Sequence, residues 1–309
     1  MPAFLYKSDP ARGEIWKHNF APRAPHLDFR IWPDEPDPHT VEYLAAWIPP
    51  DGFPARYPNL KVVFSTGAGV DNYDVAKLPA HVPLVRMIEP GIAAQMVEYV
   101  TFAVLAVHRD MPLYRVQQQN VEWTMKPVVP AASRRVGVMG AGQLGSAVLA
   151  KLMGFGFDCA CWSRGRHAID GVTAYAGNAD LATFAARTDI LVCLIPLTDA
   201  TRRILDANLF AHMPRGASLV LVGRGSHLVD ADLRVALDSG HIGSVIADVT
   251  DPEPLPAGHW MWLHPRVWLT PHVASMTQPE SAVAMVLENL RRFESGETMH
   301  GVVDRERGY

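Results

Sequence analysis

The chain has 309 residues, of which 49% are hydrophobic and 19% charged, and its formal net charge is −4. A single hydrophobic core stops growing at about 250–300 residues, so two domains are expected. The slightly acidic balance excludes a general electrostatic attraction to nucleic acid or to an anionic membrane.

The chain has three cysteines, Cys159, Cys161 and Cys193, all within apolar strand patterns where cysteine packs as a small hydrophobic side chain. This usage is typical of a reducing compartment rather than of a disulfide scaffold. The N-terminal residues are charged too early for a secretory signal, and the longest apolar run, 100–107, is far shorter than the roughly 20 residues of a membrane span. We therefore expect a soluble cytoplasmic protein that contacts neither membrane nor nucleic acid and has no metal site.

The first third of the chain predicts a small α/β unit. A helix is expected near 12–20, and strands are expected at 3–7, 27–32, 43–48, 61–66 and 84–89. The last two strands are the most apolar, so they are expected at the centre of their sheet. Gly67 and Gly69 follow the strand at 61–66. Backbone N–H groups in such a turn can hold a carboxylate, but from this stretch alone a plain turn is favoured.

The rest of the chain alternates between strand and helix patterns. A long helical pattern begins at Ile92 and is limited by Pro112, and the aperiodic residues 118–134 predict a surface segment. A final helix is expected at 279–295. Between them, strands are expected at 135–139, 157–162, 189–195, 217–222, 243–247 and 266–270, with helices near 143–153, 178–186, 206–212 and 229–239. This alternation predicts a doubly wound parallel sheet.

The strand at 135–139 leads into the spacing G-x-G-x-x-G at Gly140, Gly142 and Gly145. The first glycine allows a tight turn, the second lets the backbone approach a pyrophosphate, and the third lets the helix pack close to the strand. The helix N-terminus adds N–H groups and partial positive charge. An ordinary glycine turn is the alternative, but the strand–turn–helix–strand context favours a dinucleotide site.

The second strand of this domain ends in Ser163, Arg164, Gly165 and Arg166. Dinucleotide sites that bind NAD place an acidic residue here to bind the ribose diol, and none is present. Two arginines supply planar donors for a 2′-phosphate instead. The loop therefore predicts NADPH in preference to NADH, the alternative being a merely solvated loop.

Three further residues each follow a strand: Arg224, Glu253 and His272. Ligands of open α/β sheets bind outside the carboxyl ends of the strands, so all three are directed to one crevice. Taken singly they are explained as a surface arginine, a turn glutamate and a hydrogen-bonded histidine. Together they form a candidate acid–base set.

The chain contains a series of ordered motifs: STGAGVDN at 65–72, GAGQLG at 140–145, SRGR at 163–166, PLTDAT at 196–201, GRG at 223–225, DVTDPEPLP at 248–256 and TPHVAS at 270–275. Their order resembles that of the D-isomer-specific 2-hydroxyacid dehydrogenase family. With IPP after Trp47, QMVEY at 95–99 and the terminal VVDRERGY, the chain resembles within that family the bacterial glyoxylate/hydroxypyruvate reductase A type. The resemblance covers essentially the whole chain.

The resemblance implies two Rossmann-like domains. A doubly wound parallel-sheet cofactor domain, residues 99–275, would be inserted in a smaller flavodoxin-like substrate domain made of residues 1–98 and 276–309. A homodimer is expected on the same ground.

The resemblance also implies the roles of the three strand-end residues. Hydride would pass from the nicotinamide C4 to the keto carbon while His272 protonates the oxygen as general acid. Glu253 would fix the imidazole tautomer and raise the imidazole pKa. Arg224 would pair with the substrate carboxylate through its fork of donors.

Further site residues follow from the same resemblance. The backbone of Ala68 and Gly69 would hold the substrate carboxylate, and Trp47 would cover the substrate. The implied cofactor residues are Gly140, Gly142, Gln143, Leu144, Gly145, Ser163, Arg164, Arg166, Pro196, Gly223 and Asp248, the last accepting a hydrogen bond from the nicotinamide carboxamide. Two positions depart from the family pattern: Leu221 replaces an asparagine and Thr250 an aromatic residue.

The function predicted from the sequence is NADPH-dependent reduction of small 2-oxoacids, glyoxylate to glycolate and hydroxypyruvate to D-glycerate, with NADH possible as cofactor. A reductase of bulkier 2-oxoacids such as phenylpyruvate is the first alternative. A non-catalytic nucleotide-sensing protein on the same scaffold is the second, and a formate-type dehydrogenase is disfavoured because the arginine loop indicates the phosphate-bearing cofactor.

Overall fold

The computed structural model describes all 309 residues, and the chain divides into two compact units. Unit 1 consists of Met1–Ile92 and Met276–Tyr309, and unit 2 of Ala93–Ser275. The division after residue 92 comes shortly before the domain boundary expected at residue 98. Both positions lie within one helix, Pro90–His108.

The chain contains twelve strands and eight α-helices. The strands are β1 Ala3–Lys7, β2 Asp28–Ile31, β3 Val41–Ala46, β4 Val62–Ser65, β5 Leu84–Val85, β6 Arg135–Met139, β7 Asp158–Ser163, β8 Thr173–Ala176, β9 Ile190–Cys193, β10 Ala217–Leu221, β11 Ile242–Ala247 and β12 Val267–Leu269. The helices are α1 Pro10–Phe20, α2 Pro90–His108, α3 Met111–Gln119, α4 Gln143–Met153, α5 Gly177–Ala186, α6 Ala207–His212, α7 Asp230–Asp238 and α8 Pro279–Glu294.

Unit 1 is built on a parallel sheet with the strand order β2-β1-β3-β4-β5. This is the order of flavodoxin-like folds, so the expected fold of the smaller domain is confirmed. Phe4 on β1 stacks on Phe29 of β2 and meets Phe20 of α1 at 4.7 Å between ring centroids. These rings are nearly fully buried and form one end of the core.

The prediction that residues 84–89 form a central strand is wrong. β5 has only two residues and lies at the edge of the sheet, while β3 is central. Residues of the C-terminal segment cover this edge: Val85 bridges Val302, and the Val303 N–H donates to the Leu84 carbonyl oxygen. The strand is apolar because this segment buries it. An apolar sequence indicates that a strand is buried, not that it lies at the centre of its sheet.

Unit 2 contains a seven-stranded parallel sheet with the order β12-β11-β10-β9-β6-β7-β8. Numbered within the unit and read from β8, the strands run 3-2-1-4-5-6-7, and the first six follow the order of the doubly wound dinucleotide fold. The predicted fold class is therefore confirmed.

Two elements of this unit were not predicted. β8 was missed because its four residues are partly exposed at the edge of the sheet. α3 was missed because Pro112, interpreted as a helix stop, lies in its first turn.

Two apolar layers cover the two faces of this sheet. One contains Phe184, Leu219 and Leu233, and the other contains Val138, Leu149 and Val104. The three cysteines are buried and unbridged within these layers. Burial raises the pKa of the Cys159 thiol to about 11, as expected for a packing residue rather than a reactive one.

Helix α2 is longer than the apolar run that the sequence suggested. Its 19 residues are by length and composition sufficient to cross a membrane, although 44% of the stretch is buried inside the protein. Val100, Ala103, Val104 and Val107 form a buried stripe in the core of unit 2. Packing against the sheet accounts for the apolar residues of this stripe.

Candidate active site

The carboxyl ends of five strands of unit 2 lie side by side. After four of these strands, the next residue donates its N–H to the last residue of a neighbouring strand: Leu194 to Met139, Val222 to Cys193, Asp248 to Leu221 and Thr270 to Ala247. This ladder keeps the strand ends level across β6, β9, β10, β11 and β12. The loops that carry Gly140, Pro196, Arg224, Asp248 and His272 therefore leave the same edge of the sheet.

The glycine turn after β6 has the geometry that a pyrophosphate requires. Gly140 has φ +114°, which L side chains rarely adopt, and a Cβ there would meet the Leu194 carbonyl oxygen. A Cβ on Gly145 would collide with the Gly140 carbonyl, so the helix can approach only because that residue is glycine. At Gly142 nothing lies within 4 Å of the position that a Cβ would take, which leaves open space at the N-terminus of α4.

The N-terminus of α4 is not capped by a side chain. Gln143 and Leu144 form its first turn, and the first backbone bond inside the helix runs from the Ser146 N–H to the Gly142 oxygen. The N–H groups ahead of Ser146 have no intrahelical acceptor. The donors and the room fit the diphosphate of a dinucleotide.

The loop after β7 is exposed. The Ser163 hydroxyl donates to the Gly165 oxygen at 2.7 Å, which stabilises the turn, and Arg164 lies on the surface. Arg166 makes a 3.3 Å ion pair with Asp180, whose carboxylate also accepts from the Ala176 N–H. Both guanidinium groups thus lie on the loop expected to meet the adenosine ribose.

His272 and Glu253 form a hydrogen-bonded pair. His272 Nδ1 lies 2.8 Å from Glu253 Oε2, while Oε1 of the same carboxylate accepts from the Thr250 N–H at 3.0 Å. Partial burial raises the pKa of Glu253, but the His272 and Thr250 hydrogen bonds and the nearby charges of His272 and Arg224 outweigh it and lower that pKa overall. An ionised Glu253 can only accept, so Nδ1 carries a proton in this pair.

Asp248 fixes the backbone on which His272 is carried. This carboxylate is 2% exposed, and it accepts hydrogen bonds from the Thr270 hydroxyl and from the N–H groups of Val273 and Ala274 at 2.6–2.8 Å. The Asp248 carbonyl accepts the His272 N–H at 2.8 Å. His272 itself has φ +54°, a left-handed conformation that is uncommon for a residue other than glycine. The hydrogen bonds of Asp248 to the His272, Val273 and Ala274 N–H groups hold it there.

Arg224 lies in a loop that packs directly against the Glu253 turn. A Cβ on Gly225 would overlap the backbone of Thr250, so glycine is needed where the two loops meet. Leu221, the first departure from the family pattern, is 3% exposed at the end of β10 and packs in the core. Thr250, the second, donates its hydroxyl proton to the Pro252 oxygen at 3.0 Å, within its own turn.

Sequence reasoning missed His227. Its ring is fully buried beside the Arg224 loop, with Nδ1 3.1 Å from the Arg224 backbone nitrogen and Nε2 3.3 Å from the Pro196 oxygen. Pro196 is itself exposed, and Gly223 is buried against the imidazole. A histidine three residues after the candidate arginine was the available signal, but a single histidine in a loop does not by itself indicate burial.

The residues expected to contact substrate from the N-terminal part of the chain all belong to unit 1. The Trp47 ring lies against Gly67, where a Cβ would overlap it. Ser65 closes the following turn, because its hydroxyl accepts from the Gly67 N–H and donates to the Gly69 oxygen at 2.9 Å. The N–H groups of Ala68 and Gly69 make no hydrogen bond within the protein, so they can serve as donors to an anion.

Comparison with known proteins gives one consistent result. Residues 101–274 match the family model of the D-isomer specific 2-hydroxyacid dehydrogenase NAD binding domain. A glyoxylate/hydroxypyruvate reductase A from Serratia proteamaculans is 40% identical over 304 residues, which cover 96% of each chain.

Two solved structures are similar over the full length. A D-isomer specific 2-hydroxyacid dehydrogenase from Xanthobacter autotrophicus Py2, in complex with NADPH and MES, has a TM-score of 0.92 at 40% identity and covers 100% of both chains. An NADPH-dependent glyoxylate/hydroxypyruvate reductase from Sinorhizobium meliloti, in complex with NADP and sulfate, has a TM-score of 0.91 at 36% identity, covering 100% of this chain and 99% of that one. The chain therefore belongs to the D-isomer-specific 2-hydroxyacid dehydrogenase family.

Proposed function

We propose that the protein reduces small 2-oxoacids with NADPH, converting glyoxylate to glycolate and hydroxypyruvate to D-glycerate. The observation that carries this proposal is the 2.8 Å His272–Glu253 pair. The pair lies in loops at the carboxyl ends of the strands of the unit 2 sheet. The first strand of that sheet in chain order, β6, leads into a glycine turn suited to a dinucleotide. A proton donor beside a nicotinamide site is what reduction of a carbonyl requires.

The cofactor would be held by the glycine turn and by the exposed loop after β7. The N–H groups at the start of α4 would bind the diphosphate, and Arg164 and Arg166 would bind the 2′-phosphate. Pro196, Gly223 and Asp248 complete the proposed set. When bound, the reduced nicotinamide supplies the hydride. NADPH in preference to NADH is supported by the absence of an acidic residue in the loop.

The remaining chemistry belongs to the chain's own side chains. His272 would donate the Nε2 proton to the oxygen of the reacting carbonyl, and Glu253 would hold the ring through Nδ1 and stabilise its charged form. Arg224 would bind the substrate carboxylate. From unit 1, the N–H groups of Ala68 and Gly69 and the ring of Trp47 remain proposed substrate contacts.

The experiment is a panel of 2-oxoacids assayed with both reduced cofactors. Glyoxylate and hydroxypyruvate should give the highest kcat/KM with NADPH. A preference for phenylpyruvate would replace the proposed substrate class with a bulkier one. No oxidation of either cofactor with any 2-oxoacid would favour a nucleotide-sensing protein instead.

We propose further that the protein is a cytoplasmic homodimer that binds neither membrane nor nucleic acid. Unit 2 exposes an apolar surface segment, with Val121, Trp123 and Met125 each at least 87% exposed, and a second copy would bury it. Light scattering should give about twice the chain mass, and Trp123→Ser should lower it toward the monomer. A monomeric wild-type protein would contradict the dimer.

A further inference from the structure

His227 lies at the centre of the loop that follows β10. It ends a single 3-10 turn, Gly225–His227, and its side chain is completely buried. A buried imidazole needs partners for both ring nitrogens, since an unsatisfied polar group in the interior costs stability.

The contacts of the two nitrogens assign the proton. Nε2 lies 3.3 Å from the Pro196 carbonyl oxygen, which can only accept, so Nε2 must carry a hydrogen. Nδ1 lies 3.1 Å from the Arg224 backbone nitrogen, whose N–H can only donate. We assign Nδ1 as unprotonated, because this gives the Arg224 N–H an acceptor. The Arg224 oxygen, 3.0 Å from Nδ1, already accepts the His227 N–H. The neutral Nε2–H tautomer is consistent with each of these contacts.

The imidazole thus connects two neighbouring strand-end loops. One side holds the backbone of Arg224 after β10, and the other holds Pro196 after β9. Gly223 leaves room for the ring, because a Cβ at that position would lie 3.1 Å from the imidazole. The direction in which the Arg224 side chain leaves the sheet depends on this backbone position.

We infer that His227 is a positioning residue for Arg224, holding the guanidinium where it can bind the carboxylate of a 2-oxoacid. This inference rests on the proposed function. The hydrogen bond to the Arg224 backbone acts on substrate affinity, whereas the bond to Pro196 and the packing of the ring act on the stability of the loop.

Two amide variants separate these contributions. The Asn oxygen lies where Nδ1 lies and can accept the Arg224 N–H, whereas the Gln nitrogen lies where Nε2 lies and can donate to Pro196. His227→Gln and His227→Phe should raise the KM for glyoxylate by about three- to tenfold, the worth of one lost hydrogen bond. His227→Asn should restore most of the affinity, although all three variants lose ring packing and should show a lower Tm.

The result that overturns the inference is an equal KM for glyoxylate in the Asn and Gln variants, whether raised or not. A KM for NADPH that rises in parallel with that for glyoxylate in His227→Gln would also overturn it. Wild-type protein without any 2-oxoacid reduction would instead remove the proposed function.

A spectroscopic measurement tests the geometry without turnover. Nitrogen-15 spectra of histidine-labelled protein should show His227, identified by its loss in His227→Gln, with Nε2 protonated and Nδ1 unprotonated at neutral pH. A proton on Nδ1 would break the bond to the Arg224 N–H and overturn the inference.

Discussion

Two loops at the same sheet edge of unit 2 are held very differently. The segment that carries His272 is tied to the buried Asp248 carboxylate by three hydrogen bonds and adopts a left-handed conformation. The loop that carries Arg164 and Arg166 is exposed. Arg166 forms an ion pair with Asp180, yet its side chain remains 71% exposed.

Under the proposed function, this difference separates the residues of the chemical step from those that select the cofactor. A proton donor must be held within a fraction of an ångström of its acceptor, so its support is built from buried bonds. A phosphate-binding arginine acts through its charge and its planar fork of donors, and both are available on an exposed loop. Substitutions in the first segment should affect turnover, and those in the second should affect only the choice of cofactor.

The largest effect is expected for His272→Ala. Loss of the proton donor should lower kcat by about 10²–10⁴-fold, the usual contribution of general acid catalysis. The Kd for NADPH, measured by fluorescence, should stay within about twofold, because the side chain is not needed to bind the dinucleotide. His212→Gln, at the exposed end of α6, is the control. Turnover retained in His272→Ala would remove this residue from the mechanism.

The second prediction concerns the exposed loop. Replacing Arg164 and Arg166 together by alanine should raise the KM for NADPH by about 10–100-fold, since hydrogen bonds to charged groups are the stronger ones. The KM for NADH and the Tm should hardly change, because neither arginine is buried. Arg234→Ala, on the surface of α7, is the matched control. An unchanged ratio between the two cofactors would show that the loop does not select them.

The third prediction concerns pH. The pKa of Glu253 is lowered in the folded protein, so the ionised carboxylate contributes stability above its unfolded pKa of about 4.3 and loses it as pH falls through the folded value. Wild type should therefore have a higher Tm than Glu253→Gln at neutral pH, and the difference should vanish in acid. Glu14→Gln, at an exposed position on α1, is the matched control. A Tm difference that persists unchanged in acid would contradict the assigned ionisation.

The smallest effect is expected in unit 1. Ser65→Ala removes both hydrogen bonds that close the turn at Ala68 and Gly69. The KM for glyoxylate should rise by about two- to fivefold, a fraction of the worth of one hydrogen bond, with the KM for NADPH unchanged. Ser295→Ala, beyond the end of α8, is the control. Equal changes in the KM for glyoxylate and the KM for NADPH would indicate a general loss of structural order instead of the loss of an anion contact.

Sequence periodicity located most of the elements, because buried strands and helices must repeat apolar residues at their own spacing. It failed where burial comes from elsewhere in the chain. β5 is apolar because the C-terminal segment covers it. α3 was missed for a different reason: Pro112, interpreted as a helix stop, lies in the first turn, where proline is compatible with a helix start.

In the candidate site, too, local sequence identified some residues and missed the contacts that the fold creates. Motif order was sufficient to name Arg224, Glu253 and His272, since each follows a strand in a recognisable local pattern. It could not indicate His227 or the Tyr99–Thr270–Asp248 chain, in which the Tyr99 hydroxyl lies 2.5 Å from the Thr270 hydroxyl. These contacts depend on positions that the fold brings together.

By itself the sequence determined the two α/β units, the glycine turn and the residue types available for the chemistry. Local spacing carries that information. The tertiary structure decided which strands are central, which nitrogen of His272 faces Glu253, and which buried side chains hold the reactive loops. Hydrogen bonds depend on distance and direction between groups that only the folded sheet brings together.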